Sequence, residues 1–112
     1  AMPKKFGVWV YSGDENHDGI SDNKSCMLGA CFYTDCAGGY RKKSEAQTKS
    51  LVLTDSMDWI GWKYLEAKIP PDWRMPIVFS SLYFSNTERI LKPSQNYKTD
   101  LLFDDLQFIY TD

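Results

Sequence analysis

Lys63-Tyr64-Leu65-Glu66-Ala67-Lys68-Ile69, closed by Pro70-Pro71, is the stretch that decides the fold class. Leu65, Ala67 and Ile69 fall on one side of a two-residue repeat, and Tyr64, Glu66 and Lys68 fall on the other. That is the pattern of a strand with one face in a core and one face outside it. The two prolines then end the strand, because neither has an N–H to give to a ladder. The same repeat runs through Lys5 to Tyr11, where Phe6, Val8 and Val10 oppose Trp9 and Tyr11. Cys26 to Thr34 reads as a second strand, a third is expected to begin near Tyr40, and Ser50 to Thr54 gives a short one. Arg41 to Ser50 reads as a loop or an edge strand. Ile77 to Ser85 and Leu101 to Tyr110 are the last apolar runs, with a polar loop between them. No segment keeps a 3.6-residue period for the length of a helix. About seven or eight short strands with turn signals between them predict an all-β chain folded as a two-sheet antiparallel β-sandwich.

At 112 residues the chain is long enough for one core and too short for two ordinary domains, so residues 3–112 are read as a single domain. The formal charge of −2 offers no basic field, which sets nucleic acid aside as a partner. No stretch has the length of a membrane span and no signal sequence opens the chain. Ala1-Met2 reads as a cloning remnant, so the chain is expected to be a domain cut from a larger secreted protein.

Asp14 to Asp22 reads D-E-N-H-D-G-I-S-D. Asp14, Asn16, Asp18, the carbonyl of Ile20 and Asp22 place oxygen donors at alternate positions, and Gly19 stands where a chain wrapped round a cation must turn. A hard dication such as Ca2+ takes six to eight oxygens, and these supply five positions. The alternative is an acidic turn that binds nothing, since Asp, Asn and Gly are common turn residues. The first half of the run resembles an EF-hand or dockerin loop, but the residue twelfth from Asp14 is Ser25, where those families carry a bidentate carboxylate. Ile20 also precedes the position of their conserved apolar residue, and D-x-N-x-D-G-I-x-D is closer to the calcium loops of thrombospondin type-3 repeats. A site lacking its bidentate ligand is expected to be weak, which suits the millimolar calcium outside cells.

Cys26, Cys31 and Cys36 are spaced by five. One strand through them would hold the outer two roughly 33 Å apart, far beyond the roughly 6 Å between Cα atoms that a disulfide needs. Free thiols are therefore expected unless the segment bends back, and the spacing is not that of a zinc site.

Gly61-Trp62-Lys63-Tyr64-Leu65-Glu66-Ala67-Lys68-Ile69-Pro70, followed by Leu82-Tyr83-Phe84 and then Phe103-Asp104-Asp105-Leu106, resembles the second half of the jelly-roll domains appended to secreted bacterial glycosidases. Gly7-Val8-Trp9-Val10-Tyr11 ahead of Gly13-Asp14 is similar to their opening strand and turn, although the acidic loop is longer. The resemblance implies a jelly-roll carbohydrate-binding module, non-catalytic, monomeric, attached to a catalytic domain and often holding structural calcium. It also puts forward an aspartate of the closing strand, Asp104 or Asp105, as a ligand of that ion, the alternative being that these residues cap a turn or a sheet edge. If Leu106, Phe108 and Tyr110 face the core, Asp104 points inward with them and needs a cation or several donors.

A sugar ring has weakly apolar C–H faces and a rim of hydroxyls, so its site needs flat aromatics and polar side chains. Aromatics make up 15% of the chain, including four Trp and seven Tyr, more than packing requires. Trp9, Tyr11, Tyr33, Tyr64 and Tyr83 are the candidate stacking residues, with Arg41, Glu66, Lys68 and Gln107 for the rim. Trp62 is expected in the core because its Gly-Trp turn opens a strand, and Trp59 and Trp73 are expected at strand ends or in loops. Catalysis is not expected: the single His17 lies in the acidic loop, and the adjacent Asp104 and Asp105 should point to opposite faces of a strand. The competing class is a structural or protein-interaction module whose exposed aromatics form an interface.

Overall fold

Alternation sets the architecture. In the computed structural model, which describes residues 2–35, 47–86 and 100–112, six strands form. They are β1 (Lys5–Ser12), β2 (Cys26–Thr34), β3 (Gln47–Thr54), β4 (Gly61–Lys68), β5 (Ile77–Asn86) and β6 (Leu101–Ile109). Among the described residues there is no helix. β1 lies between β4 and β6, β2 lies between β3 and β5, and all four pairings are antiparallel. The pair β1–β6 encloses the pair β2–β5 in sequence, the nesting from which jelly rolls are wound, here with three strands to a sheet. The strand expected near Tyr40, Cys36 and the candidate Arg41 lie outside the described residues.

The two central strands each turn one apolar side into the core. Phe6, Val8 and Val10 of β1 are buried, as are Cys26, Leu28, Ala30 and Phe32 of β2. Phe6 is the hub. Its ring meets Phe32 edge-on at 5.1 Å, stacks on Phe79 of β5 at 5.4 Å and meets Phe108 of β6 at 5.8 Å. Trp73 closes the cluster from the β4–β5 connection, 5.5 Å from Phe32 and only 8% exposed, so it is a core residue rather than a loop aromatic open to ligand. Truncating either hub ring, as in Phe32→Ala, is expected to cost about 3–5 kcal/mol. Cys26 is buried and Cys31 half-buried.

Leu65 is buried and Ala67 half-buried, whereas Glu66 and Lys68 are exposed. The strand that decided the fold class is thus two-faced as read. Its outer side continues a surface begun by Trp9 and Tyr11 on β1, and that surface is the candidate site.

Candidate functional site

Register builds the site. Trp9 pairs with Tyr64 and Tyr11 with Trp62, so four rings from β1 and β4 form two cross-strand couples on the outer face of the β1 sheet. Ring centroids lie 5.4 Å apart in the first couple and 5.6 Å in the second, both tilted. Such aromatic pairs add about 0.5–1.5 kcal/mol beyond the area they bury, which holds the rings as a platform. Trp62 belongs to this platform and is 50% exposed, contrary to the expectation that it enters the core. The reason is parity: the repeat that sends Leu65 inward sends Trp62 outward with Tyr64 and Glu66.

Tyr64 lies across Gly7, where a Cβ would meet its hydroxyl and ring, and this close approach is why β1 carries a glycine there. The Tyr64 hydroxyl donates to Glu66 Oε1 at 3.1 Å, and Glu66 also pairs with Lys5 at 3.6 Å. Burial raises the Tyr64 phenol above its usual value of 10.0, and the hydrogen bond and charge of Glu66 raise it further. Trp59 stands apart, half-buried, with Nε1 donating to the carbonyl of Val10 at 3.2 Å and the Lys63 ammonium 5.0 Å above its ring.

β6 completes the face through a bulge. Gly7 pairs with Gln107 and Trp9 with Asp104, so β6 has one residue too many opposite Val8. Asp105 takes that place at φ +54°, and its N–H donates to Asp104 Oδ1 at 2.9 Å. Alternation is broken there. Asp104 and Asp105 are both exposed and together with Trp9 and Trp62 line an open depression of ≈ 510 Å³. Two expectations are corrected by this. The neighbouring aspartates do not point to opposite faces, and although Phe108 packs inward on Phe6, Asp104 does not, since the bulge pairs it with outward-facing Trp9.

Tyr33 and Tyr83 do not join this group. They stand on the outer face of the β2 sheet, where Tyr83 covers Gly29 as Tyr64 covers Gly7. The candidate stacking residues therefore divide between two sheets: Trp9, Tyr11 and Tyr64, with Glu66, on one, and Tyr33 and Tyr83 on the other.

The acidic segment is a separate feature at the end of β1. Gly19 has φ +77° and His17 φ +54°, so the chain turns tightly there. Asp14 Oδ1 accepts the N–H of Asp18 at 3.1 Å and Oδ2 that of Gly19 at 2.9 Å, while Asp18 Oδ1 accepts the N–H of Ile20 at 2.9 Å. Burial works against the Asp14 carboxylate, yet the amides of Gly19 and Asp18 outweigh it and hold its pKa below the ordinary 3.8. Both oxygens of Asp22 accept the N–H of Glu15 at 3.1 Å, and Asn16 is exposed. Among the described residues no three His, Cys, Asp or Glu side chains converge as a metal ion would draw them.

Ile20 is 52% exposed, whereas Ser21 is buried. The Ser21 hydroxyl donates to the carbonyl of Met57 at 2.6 Å, which uses its only proton, so the 2.7 Å contact with Ser12 has Ser12 as donor. Asn23 Nδ2 in turn donates to Ser12 Oγ at 2.8 Å. The inward position after Gly19 is kept, but hydroxyls rather than an apolar side chain fasten it to the sandwich. Asp100, just before β6, is the acid of the closing segment that reaches this loop. A Cβ on Gly13 would lie 3.1 Å from Asp100 Oδ2 and 3.2 Å from Asp22 Oδ2, so the two carboxylates flank one point. Asp104 and Asp105, which the family resemblance puts forward as calcium ligands, sit with Trp9, three residues further along the ladder than the Ser12–Leu101 pair.

No protein-family model, no curated protein and no solved structure matches this chain.

Proposed function

We propose that this chain is a non-catalytic carbohydrate-binding module of an extracellular bacterial protein, which as a monomer holds an attached catalytic domain to a polysaccharide or glycan. The observation that carries the reading is the platform of Trp9, Tyr11, Trp62 and Tyr64, in contact couples with the two indoles exposed and the two phenols half-buried, and with Glu66, Gln107, Asp104 and Asp105 at its border. Flat rings take the C–H faces of a sugar and the bordering groups take its hydroxyls. A glycan array followed by calorimetry tests it. Binding to some glycan, lost in Trp9→Ala and Trp62→Ala with the fold intact and with the glycan recovered uncleaved, is expected; silence on every glycan ends the reading.

Calcium is proposed as the stabiliser of the acidic loop, with Asp14, Asn16, Asp18, the Ile20 carbonyl and Asp22 as ligands. Support comes from the turn at Gly19, the carboxylates gathered along it and Asp100 standing beside Asp22. An ion that binds only the folded state stabilises it by mass action, so calcium at roughly ten times Kd should raise Tm by about 5–10 °C. Asp18→Ala should abolish that response. A melting curve indifferent to chelator removes calcium from the proposal and leaves the sugar platform untouched.

A protein-interaction module is the second reading, favoured by Phe84 on β5 and by Phe103 and Leu106 on β6, which are exposed although both strands lie at sheet edges among the described residues. Its signature is specific capture of a protein that Phe84→Ser and Phe103→Ser abolish without altering glycan affinity.

A further inference from the structure

The outer face of the β1 sheet is electrostatically lopsided. At one end Lys5 and Lys68 are register partners, and Lys5 pairs with Glu66 at 3.6 Å. At the other end, roughly 20 Å along β4 at about 3.3 Å per residue, Trp9 and Trp62 share their depression with Asp104 and Asp105. Among the described residues the ion pairs are Lys4–Asp112 and Lys5–Glu66, so no lysine or arginine there neutralises either aspartate. Lys63, the cation next in sequence to Trp62, lies over Trp59 instead. The bulge at Asp105 produces this: a regular strand would have sent one of the two carboxylates to the other face.

Two indole faces and two carboxylates round one opening repel uronic acids and sulfated sugars, and for a neutral sugar the second negative charge is superfluous. Both features serve a cation. An indole face attracts a positive charge that is held over it, and a carboxylate makes its strongest hydrogen bonds to a charged donor. Resting on the carbohydrate-binding reading above, we propose that the Trp9–Trp62 end of the platform binds a cationic saccharide, a pyranose with a free protonated amine. Its ring stacks on the indoles and its ammonium lies against Asp104 and Asp105. Oligomers of 2-amino-2-deoxyglucose are the simplest members of that class.

The test is calorimetry on the whole chain with four probes of similar length: oligoglucosamine, its fully N-acetylated form, a neutral β-glucan oligomer and oligolysine. Oligoglucosamine is expected to bind tightest and to weaken as salt rises. Asp104→Asn with Asp105→Asn should lower its affinity roughly tenfold, the scale of two exposed charge contacts, and leave the neutral oligomer unchanged. Asn at 104 keeps the Oδ1 that accepts the N–H of residue 105, so the bulge survives. Asp55→Asn with Asp72→Asn removes the same charge from exposed positions away from the platform, and should change nothing. Equal binding of the amine, acetylated and neutral oligomers overturns the amino-sugar assignment and keeps the carbohydrate reading. Failure of all three saccharides overturns the amino-sugar assignment, and overturns the carbohydrate reading with it only when the whole glycan array is silent too. Oligolysine binding tightest, or equal losses in the control variant, would show a site for peptide or for bulk charge and likewise overturn the assignment.

Discussion

The two sheets carry the same device on their outer faces and surround it differently. Each central strand has a glycine beneath a tyrosine from a neighbouring strand, Gly7 under Tyr64 and Gly29 under Tyr83. A bare glycine in a strand leaves backbone without a packed side chain, and a ring laid across it restores that packing. By register, Gly7 is surrounded by Lys5, Trp9, Glu66 and Gln107, and Trp62, Asp104 and Asp105 follow further along the same face. By register, Gly29 is surrounded by Met27, Cys31, Val52, Ser81 and Ser85, none of them charged. A tyrosine over a glycine is therefore a packing solution common to both faces. The indoles and carboxylates are what set one face apart.

The largest effects should break that comparison outright. Removing a stacked ring from a sugar site typically costs a few kcal/mol, on the scale of about 1–3 kcal/mol per ring measured for aromatic stacking of nucleobases. Trp9→Ala and Trp62→Ala are thus each expected to weaken glycan affinity by roughly tenfold or more. Tyr33→Ala and Tyr83→Ala, on the other sheet, should leave it within about twofold by the same measure. If calorimetry gave the reverse order, the binding face would be the β2 sheet and the division drawn here would fail.

Substituting the glycines sharpens the comparison further. Gly7→Ala and Gly29→Ala both drive a methyl group into tyrosine ring atoms that can swing away only by giving up their packing on the sheet. Each is expected to lower stability in urea by about 1–3 kcal/mol. Only Gly7→Ala should also weaken glycan binding, because Tyr64 is coupled to Trp9 whereas Tyr83 belongs to a face without the platform. Equal binding by the two variants would mean that Tyr64 does not hold Trp9 in place.

Most of the fold was legible because period-two alternation is a direct statement about faces. Cys26–Thr34 appeared with the bounds read from sequence, and Phe6, Val8 and Val10 share one face as their pattern required, the face that turns inward. The same alternation already placed Trp62 outside, and it was overruled by weighting the Gly-Trp turn. Asp104 and Asp105 were misread for a different reason. A bulge shifts parity without any change in hydrophobic pattern, and the one local hint is a pair of aspartates, residues that tolerate positive φ, inside a strand. Trp73 and Ser21 were illegible singly. What buries them is contact with Phe32 and with Met57, partners remote in sequence, and alternation says nothing about long-range contact. The division of Tyr33 and Tyr83 from Trp9 and Tyr64 is likewise a matter of which strands share a sheet.

The smallest expected effect probes the platform from within. Burial and the Glu66 carboxylate favour the neutral phenol of Tyr64, so its folded pKa lies above the unfolded 10.0. A group raised in this way contributes stability that is complete below the unfolded value and disappears as pH climbs through the folded one. The half-buried phenol is still partly screened by solvent, so the contribution is small. Phenolate absorbance should show a component titrating later than free tyrosine, and Tyr64→Phe should remove it. Glu66→Gln should bring its midpoint down toward 10.0, because the amide can still accept the hydroxyl proton but has no charge to oppose the phenolate. A midpoint unmoved by Glu66→Gln would mean that burial and the Asp105 charge, without Glu66, raise Tyr64. The hydroxyl would then be free to turn from Glu66 toward a ligand.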